Sequence, residues 1–163
     1  MDTLINTLVA LQAAGAFVGV ACVVWGEFAY IRAIRDEHVD AAERAHLDAS
    51  ARGLYFGMTL LLLASLGLVI LAYLSGGPLQ PAVTATYWSF TLLALLVTLL
   101  TWARSRGHIS FTLGSAALFT GWWFLLYLAL GRLPLLSLGA SVALYVVATA
   151  LFYGILRAIR HLI

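Results

Sequence analysis

The chain has 163 residues, of which 63% are hydrophobic and only 10% are charged. Soluble domains have about a quarter of their residues charged, so this composition excludes a soluble domain and indicates an integral membrane protein. The 9 basic residues are all arginines, and the net charge of +2 is too small and too dispersed for a nucleic-acid-binding surface. We therefore expect the lipid bilayer as a partner and no nucleic acid.

Five apolar runs are long enough to cross a bilayer. Because a hydrocarbon core of about 30 Å needs about 20 helical residues, each run predicts one transmembrane helix. The predicted spans are 4–34, 54–74, 83–103, 109–130 and 134–159. Breaks rich in glycine, proline and arginine separate them. The sequence therefore predicts an all-α, polytopic helical bundle that forms a single transmembrane domain over residues 1–163.

The arginines near the helix ends predict the orientation of this bundle. In a five-span arrangement, every arginine but one falls on the same side of the membrane, and Arg132 falls on the other. Basic residues near helix ends are retained on the cytoplasmic side. We therefore expect the N-terminus outside and the C-terminus in the cytoplasm, in a membrane that we take to be the bacterial cytoplasmic membrane.

The polar segment 35–53 joins the first two spans. Asp40 and Glu43 have the spacing of a capping box, which predicts that a helix begins at about Ala41 and continues into the second span. We expect the turn at 36–39, and we expect both helices to extend past the membrane as a cytoplasmic helical hairpin.

Motifs for metal, cofactor or catalytic chemistry are weak in this chain. Glu43 and His46 form an E-x-x-H, but a di-iron bundle needs a second such motif and further glutamates, which the sequence lacks. A haem needs axial ligands inside the spans, and no histidine lies there. Hydrolase and nucleotide-binding signatures are missing too. We expect no metal, no cofactor and no catalytic residues, and hence a protein that is not an enzyme.

Small residues and two polar ones mark a packing face on the first helix. Gly15, Gly19 and Gly26 share this face, with spacings that let another helix backbone come close. Gln12 lies on the same face in the outer half, and Glu27 lies at its margin in the inner half. The face could serve packing within the chain, a partner helix in the membrane, or a homo-oligomer.

Glu27 is the main candidate for a functional group inside the membrane. A bare carboxylate in hydrocarbon costs at least about 2.5 kcal/mol on insertion scales, so we expect it to be paired or protonated. One hypothesis makes it a proton- or cation-handling group with Arg52 or Arg104 as its exchangeable partner. The other makes it a structural ion pair, or a side chain that reaches the nearby membrane surface.

The densest aromatic cluster contains Trp122, Trp123 and Tyr127, past the middle of the fourth span. Such a cluster can form the wall of a pocket for a flat or apolar ligand such as a quinone or a lipid. It can equally be packing in the core and at the membrane interface, where tryptophan and tyrosine are common.

The first helix also carries Gln12-Ala13-Ala14-Gly15, followed by Trp25-Gly26-Glu27 and the polar hairpin. Over residues 1–75 this pattern resembles small bacterial integral membrane proteins, some of which are similar to the copper-resistance D membrane family. That family has H-x-x-G on its first helix, and Gln12 stands here where the histidine would be. The resemblance therefore implies an integral membrane protein, and it implies no metal site.

Two functional hypotheses follow. The first is a small transport or ligand-binding membrane protein whose polar site is Glu27, with Arg52, Arg104 and Gln12 as further candidates. The alternative is a structural or assembly subunit, of a membrane complex or a homo-oligomer, that packs through the glycine face of its first helix.

Overall fold

The computed structural model describes residues 2–35, 41–76, 85–132 and 137–162, and nearly all of them are helical. The helices are α1 (Asp2–Arg35), α2 (Ala41–Leu74), α3 (Ala85–Ser105), α4 (Phe111–Ala129) and α5 (Leu138–Leu162). Each of these helices is long and apolar enough to cross a membrane. The predicted all-α class is therefore confirmed, and the described residues form five helices of spanning length, the number expected.

The first two helices are longer than a membrane requires. α1 and α2 each have 34 residues, which corresponds to about 51 Å at 1.5 Å per residue, against a hydrocarbon core of about 30 Å. α2 begins at Ala41, where the capping-box spacing predicts it, and continues without a break into its apolar part. A hairpin that protrudes from the membrane needs two helices of about this length. The predicted turn at 36–39 and the capping residue Asp40 lie outside the described residues.

α1 and α2 pack against each other in antiparallel orientation, with their backbones in contact. A Cβ atom added to Gly15 would lie 2.8 Å from the carbonyl oxygen of Gly57, and one added to Gly57 would lie 2.8 Å from the carbonyl oxygen of Gly15. Toward one end of this seam, the side-chain amide of Gln12 donates to the hydroxyl of Ser65 at 2.9 Å. Part of the predicted glycine face is thus used within the chain.

α4 is the central helix of the bundle, because it packs against α1, α3 and α5. Of its span, 56% is buried inside the protein, whereas no other span exceeds 28%. Its first half contains Gly114-Ser115-Ala116-Ala117, all buried, and such small side chains allow neighbouring helices to come close. α4 therefore sets the positions of three other helices.

α5 lies at the periphery, packed mainly on α4, with only 11% of its span buried. The hydroxyl of Tyr145 donates to the carbonyl oxygen of Ala117 at 2.9 Å, and the rings of Phe119 and Phe152 lie 4.6 Å apart between centroids. Its outer face is apolar, as expected for a helix that contacts lipid.

The close approach of α1 and α2 leads to a prediction about stability. Gly57→Ala places a methyl group against the backbone of α1, which cannot yield without moving a helix, so we expect a loss of about 1–3 kcal/mol in unfolding free energy. The matched control is Gly154→Ala in α5, where an added Cβ meets nothing within 4 Å and the higher helix propensity of alanine should be neutral or stabilising. Thermal unfolding in detergent micelles measures both, and equal midpoints for the two variants would contradict the backbone contact.

Candidate functional site

A buried salt bridge joins the first helix to the last. Glu27 Oε2 lies 2.9 Å from Nη2 of Arg160, and the two side chains are 10% and 11% exposed respectively. Nη1 of Arg160 also donates to the hydroxyl of Thr112 at 2.7 Å. The guanidinium thus connects α1, α4 and α5 at the end of the bundle where α1, α3 and α5 finish and α2 and α4 begin.

The partner of Glu27 differs from the one predicted. Arg52 is exposed on α2, whereas Arg104 lines the same cavity as Glu27 and donates to the hydroxyl of Ser115 at 3.4 Å. Arg160 takes this position because α5 ends at the same end of the bundle as α1, which brings its guanidinium beside the carboxylate. Arg104 remains part of the site, since it lines the same cavity as Glu27.

Two stacked aromatic rings hold both arginines in place. The rings of Tyr30 and Phe111 lie 3.8 Å apart between centroids, with an interplanar angle of 28°. The guanidinium carbon of Arg160 is 4.8 Å from the centroid of Tyr30, and that of Arg104 is 5.1 Å from the centroid of Phe111. A cation over an aromatic face is attracted by the ring quadrupole, more strongly where water is excluded. The aromatic pair therefore restricts both guanidinium groups.

A cavity of about 270 Å³ lies beside this cluster, between α1, α2, α3 and α4. Its polar lining consists of Glu27, Tyr30, Ser50, Arg104 and Ser115. The rest of the lining is mostly apolar. A few polar groups in an apolar cavity are typical of sites for small ligands, which usually measure about 300–1,000 Å³. This cavity is close to the lower limit, so it has room for a small molecule or for one group of a larger one.

The other residues predicted on the first helix have different surroundings. Gln12 is hydrogen-bonded in the α1/α2 seam, far along the helix from the cavity. A Cβ on Gly19 would overlap the indole ring of Trp122, so Gly19 forms the notch in which that ring packs. Gly26 has more room, with Ser50 at 3.7 Å from an added Cβ, and it borders the cavity. Gly15 and Gly19 are thus covered by α2 and α4, which leaves this face closed to a second copy.

The predicted aromatic cluster is divided between the interior and the surface. Trp122 is 1% exposed and belongs to the core, and it also borders a second cavity of about 210 Å³ between α2 and α3. Trp123 is partly buried, and Tyr127 is 48% exposed, with 6.3 Å between the two ring centroids. Neither of them lines the cavity that Trp122 borders. Of the three predicted aromatic residues, Trp122 is thus the one that lines this second cavity.

Four contributors to the site were missed by reasoning from the sequence: Tyr30, Phe111, Thr112 and Arg160. Arg160 carried a weak signal, because its segment Arg157-Ala158-Ile159-Arg160 repeats the pattern of Arg32-Ala33-Ile34-Arg35 at the same end of the bundle.

The E-x-x-H histidine, His46, has its Nδ1 2.9 Å from the carbonyl oxygen of Ala42. Within the described ranges, no three histidine, cysteine or acidic side chains are grouped so as to hold a metal ion.

These features define the class as a helical membrane protein with a buried charged cluster at one end. No family model, curated protein or solved structure is significantly similar to this chain. The resemblance of its first helix to the copper-resistance D family therefore stays a prediction, and the function has to be argued from the site itself.

The salt bridge gives a prediction for stability. Glu27→Gln and Arg160→Gln each leave an uncompensated buried charge, which typically costs about 3–5 kcal/mol, whereas the double variant removes both charges together. We expect the double variant to lose less unfolding free energy than the sum of the single variants, by about 1–3 kcal/mol. Unfolding in mixed detergent micelles provides the values. Arg157→Gln is the control, since Arg157 is exposed on the same helix and should change stability by less than about 0.5 kcal/mol. Additive losses would show that the two residues do not interact.

Proposed function

We propose that the chain is a small ligand-binding or transport protein of the membrane, and that the cavity beside Glu27 is its binding site. The observation that carries the proposal is the cavity itself, about 270 Å³ in volume, next to buried charges. A cavity beside a buried ion pair, lined by a few polar groups among apolar ones, has the features of a site that accepts a small ligand.

The proposed orientation puts this cavity at the cytoplasmic side of the bacterial inner membrane, with the N-terminus outside. This follows from the arginines near the helix ends, most of which lie at the same end of the bundle as Glu27. A ligand would therefore enter the cavity from the cytoplasm or from the inner leaflet.

Glu27 is suited to a transport step because two arginines lie at the same site. Arg160 binds the carboxylate in the structure, and Arg104 lies at the wall of the same cavity within electrostatic reach. Exchange of the carboxylate between these partners would couple a ligand at Arg104 to the contact that holds α5. Charged residues inside membrane bundles commonly serve such pathways.

The alternative function, a subunit of a membrane assembly or homo-oligomer, is favoured by a different surface from the one predicted. The Gly15 and Gly19 face is covered within the chain, whereas α5 presents exposed Val146, Val147 and Leu151. Lipid or a partner helix can cover such a face. An assembly role would therefore use α5, and it would leave the cavity without a ligand.

Filling the cavity tests the proposal. Ala51 is exposed at the rim of the cavity on α2, and Ala51→Phe should place a ring into the opening without disturbing the core. Native mass spectrometry of protein released from lipid nanodiscs should show a retained small molecule or lipid on the wild type, and Ala51→Phe should reduce its occupancy at least about fivefold, since space in the site decides binding.

The matched control is Ala49→Phe, because Ala49 is exposed on the same helix but does not line the cavity. This variant should retain the bound molecule as the wild type does. If no bound molecule is detected in any of the three samples, or if its occupancy is equal in all three, the cavity is excluded as a ligand site. Bare protein that forms a defined oligomer would favour the assembly function instead.

A further inference from the structure

We infer that the ligand of this cavity carries an anionic group, a phosphate or a carboxylate, and that Arg104 binds it. The inference rests on the proposed function, because it names the chemical class of the ligand for the same cavity. It is carried by the charge balance of the site, by the hydrogen bonding of Arg104 and by the position of α4.

Among the described residues at the cavity, the charge balance is positive. The charged residues that line it are Glu27 and Arg104, and the charge of Glu27 is already matched by its 2.9 Å salt bridge with Arg160. Among the residues that the structure describes, no carboxylate lies within salt-bridge distance of Arg104. Within this described part of the chain, Arg104 therefore has no ionic partner, and an anion in such a partly buried site would interact with it more strongly than in water.

The hydrogen bonding of Arg104 to the residues that the structure describes uses little of its donor capacity. A guanidinium has five N–H donors, and the contact of Arg104 with Ser115 is long at 3.4 Å. A cation–π contact such as the one with Phe111 does not consume the N–H donors along the edge of a guanidinium. That edge carries a fork of donors matching the two oxygens of a carboxylate or a phosphate, which arginine binds in bidentate geometry.

The start of α4 adds a partial positive charge at the same place. Ser110 is the N-cap of α4, and its hydroxyl accepts a hydrogen bond from the backbone N–H of Leu113. Phe111, in the first turn, and Ser115, one turn later, both line the cavity. Backbone N–H groups at a helix N-terminus and the helix dipole favour negative charge nearby. The dipole therefore acts in the same direction as Arg104.

The size of the cavity restricts how the anion can arrive. A volume of about 270 Å³ accepts a phosphate or a carboxylate with a few further atoms, but not a whole lipid. The same chemistry can thus be supplied by the headgroup of an anionic lipid whose acyl chains stay in the bilayer, or by a free small anion from the cytoplasm.

Four probes separate these sources: phosphatidylglycerol, inorganic phosphate, acetate and tetramethylammonium, each titrated against delipidated protein in detergent. Native mass spectrometry monitors the lipid, and thermal stabilisation monitors the soluble ions. We expect the wild type to bind at least one anionic probe in preference to tetramethylammonium. Binding of phosphatidylglycerol alone indicates a lipid headgroup, whereas binding of phosphate or acetate indicates a free anion, and either result supports the inference.

Arg104→Gln should weaken anion binding at least about tenfold, as expected for the loss of charge-assisted hydrogen bonds. The matched control is Arg106→Gln, because Arg106 is exposed, stacks on Trp102 and does not line the cavity. This control should bind the anion as the wild type does. Arg104→Lys retains the charge and should recover part of the affinity, which provides a readout if the glutamine variant fails to fold.

Equal weakening by Arg104→Gln and Arg106→Gln would overturn the inference, since it would indicate general attraction to a basic surface. Preference for tetramethylammonium, or binding of none of the anions, would overturn it as well. The proposed function is judged separately with Ala51→Phe. If a cationic or neutral molecule is bound by the wild type and lost in that variant, the cavity remains a ligand site while the anionic assignment fails.

Discussion

The salt bridge between Glu27 and Arg160 is the interaction on which the charged end of the bundle depends. α5 buries little of its surface, and lipid solvates its apolar side chains as well as a neighbouring helix would, so hydrophobic packing contributes little to its position. Polar contacts decide it instead, namely those of Arg160 with Glu27 and Thr112, and that of Tyr145 with a backbone carbonyl of α4. A paired charge in a medium of low dielectric has a strongly preferred geometry.

Close contact between helices supplies the rest of the architecture. The backbones of α1 and α2 meet at Gly15 and Gly57, where any side chain would keep them apart. One turn further along, Gly19 leaves the notch that Trp122 of α4 fills, so the seam between the first two helices also positions the central one. Van der Waals packing of this kind, together with hydrogen bonds, is what drives helix association in a bilayer. The cavity lies where this packing ends and the charged cluster begins.

The number of helices, the start of α2 at Ala41 and the packing role of the first-helix glycines could be predicted from the sequence, because apolar run length and residue size determine them locally. The partner of Glu27 could not, because several arginines lie at the same end of the bundle and only the spatial order of helices selects Arg160. Gly57 was overlooked for a related reason. Its importance appears only when Gly15 is known to lie opposite. Side chains far apart in the chain meet through tertiary packing, which helical periodicity does not report.

The charged cluster would also link a bound ligand to the helices around it. Glu27 is paired with Arg160, which fixes α5, and it lines the cavity together with Arg104. A negative charge bound at Arg104 would offset the pull of that arginine on the carboxylate, and the contact of Glu27 with Arg160 would strengthen. Because linkage between two interactions is reciprocal, any change that strengthens the contact of α5 with the bundle also favours binding of the anion. A small change in free energy can move a peripheral helix that is held by few contacts. We therefore expect α5 to be the helix that moves when a ligand binds.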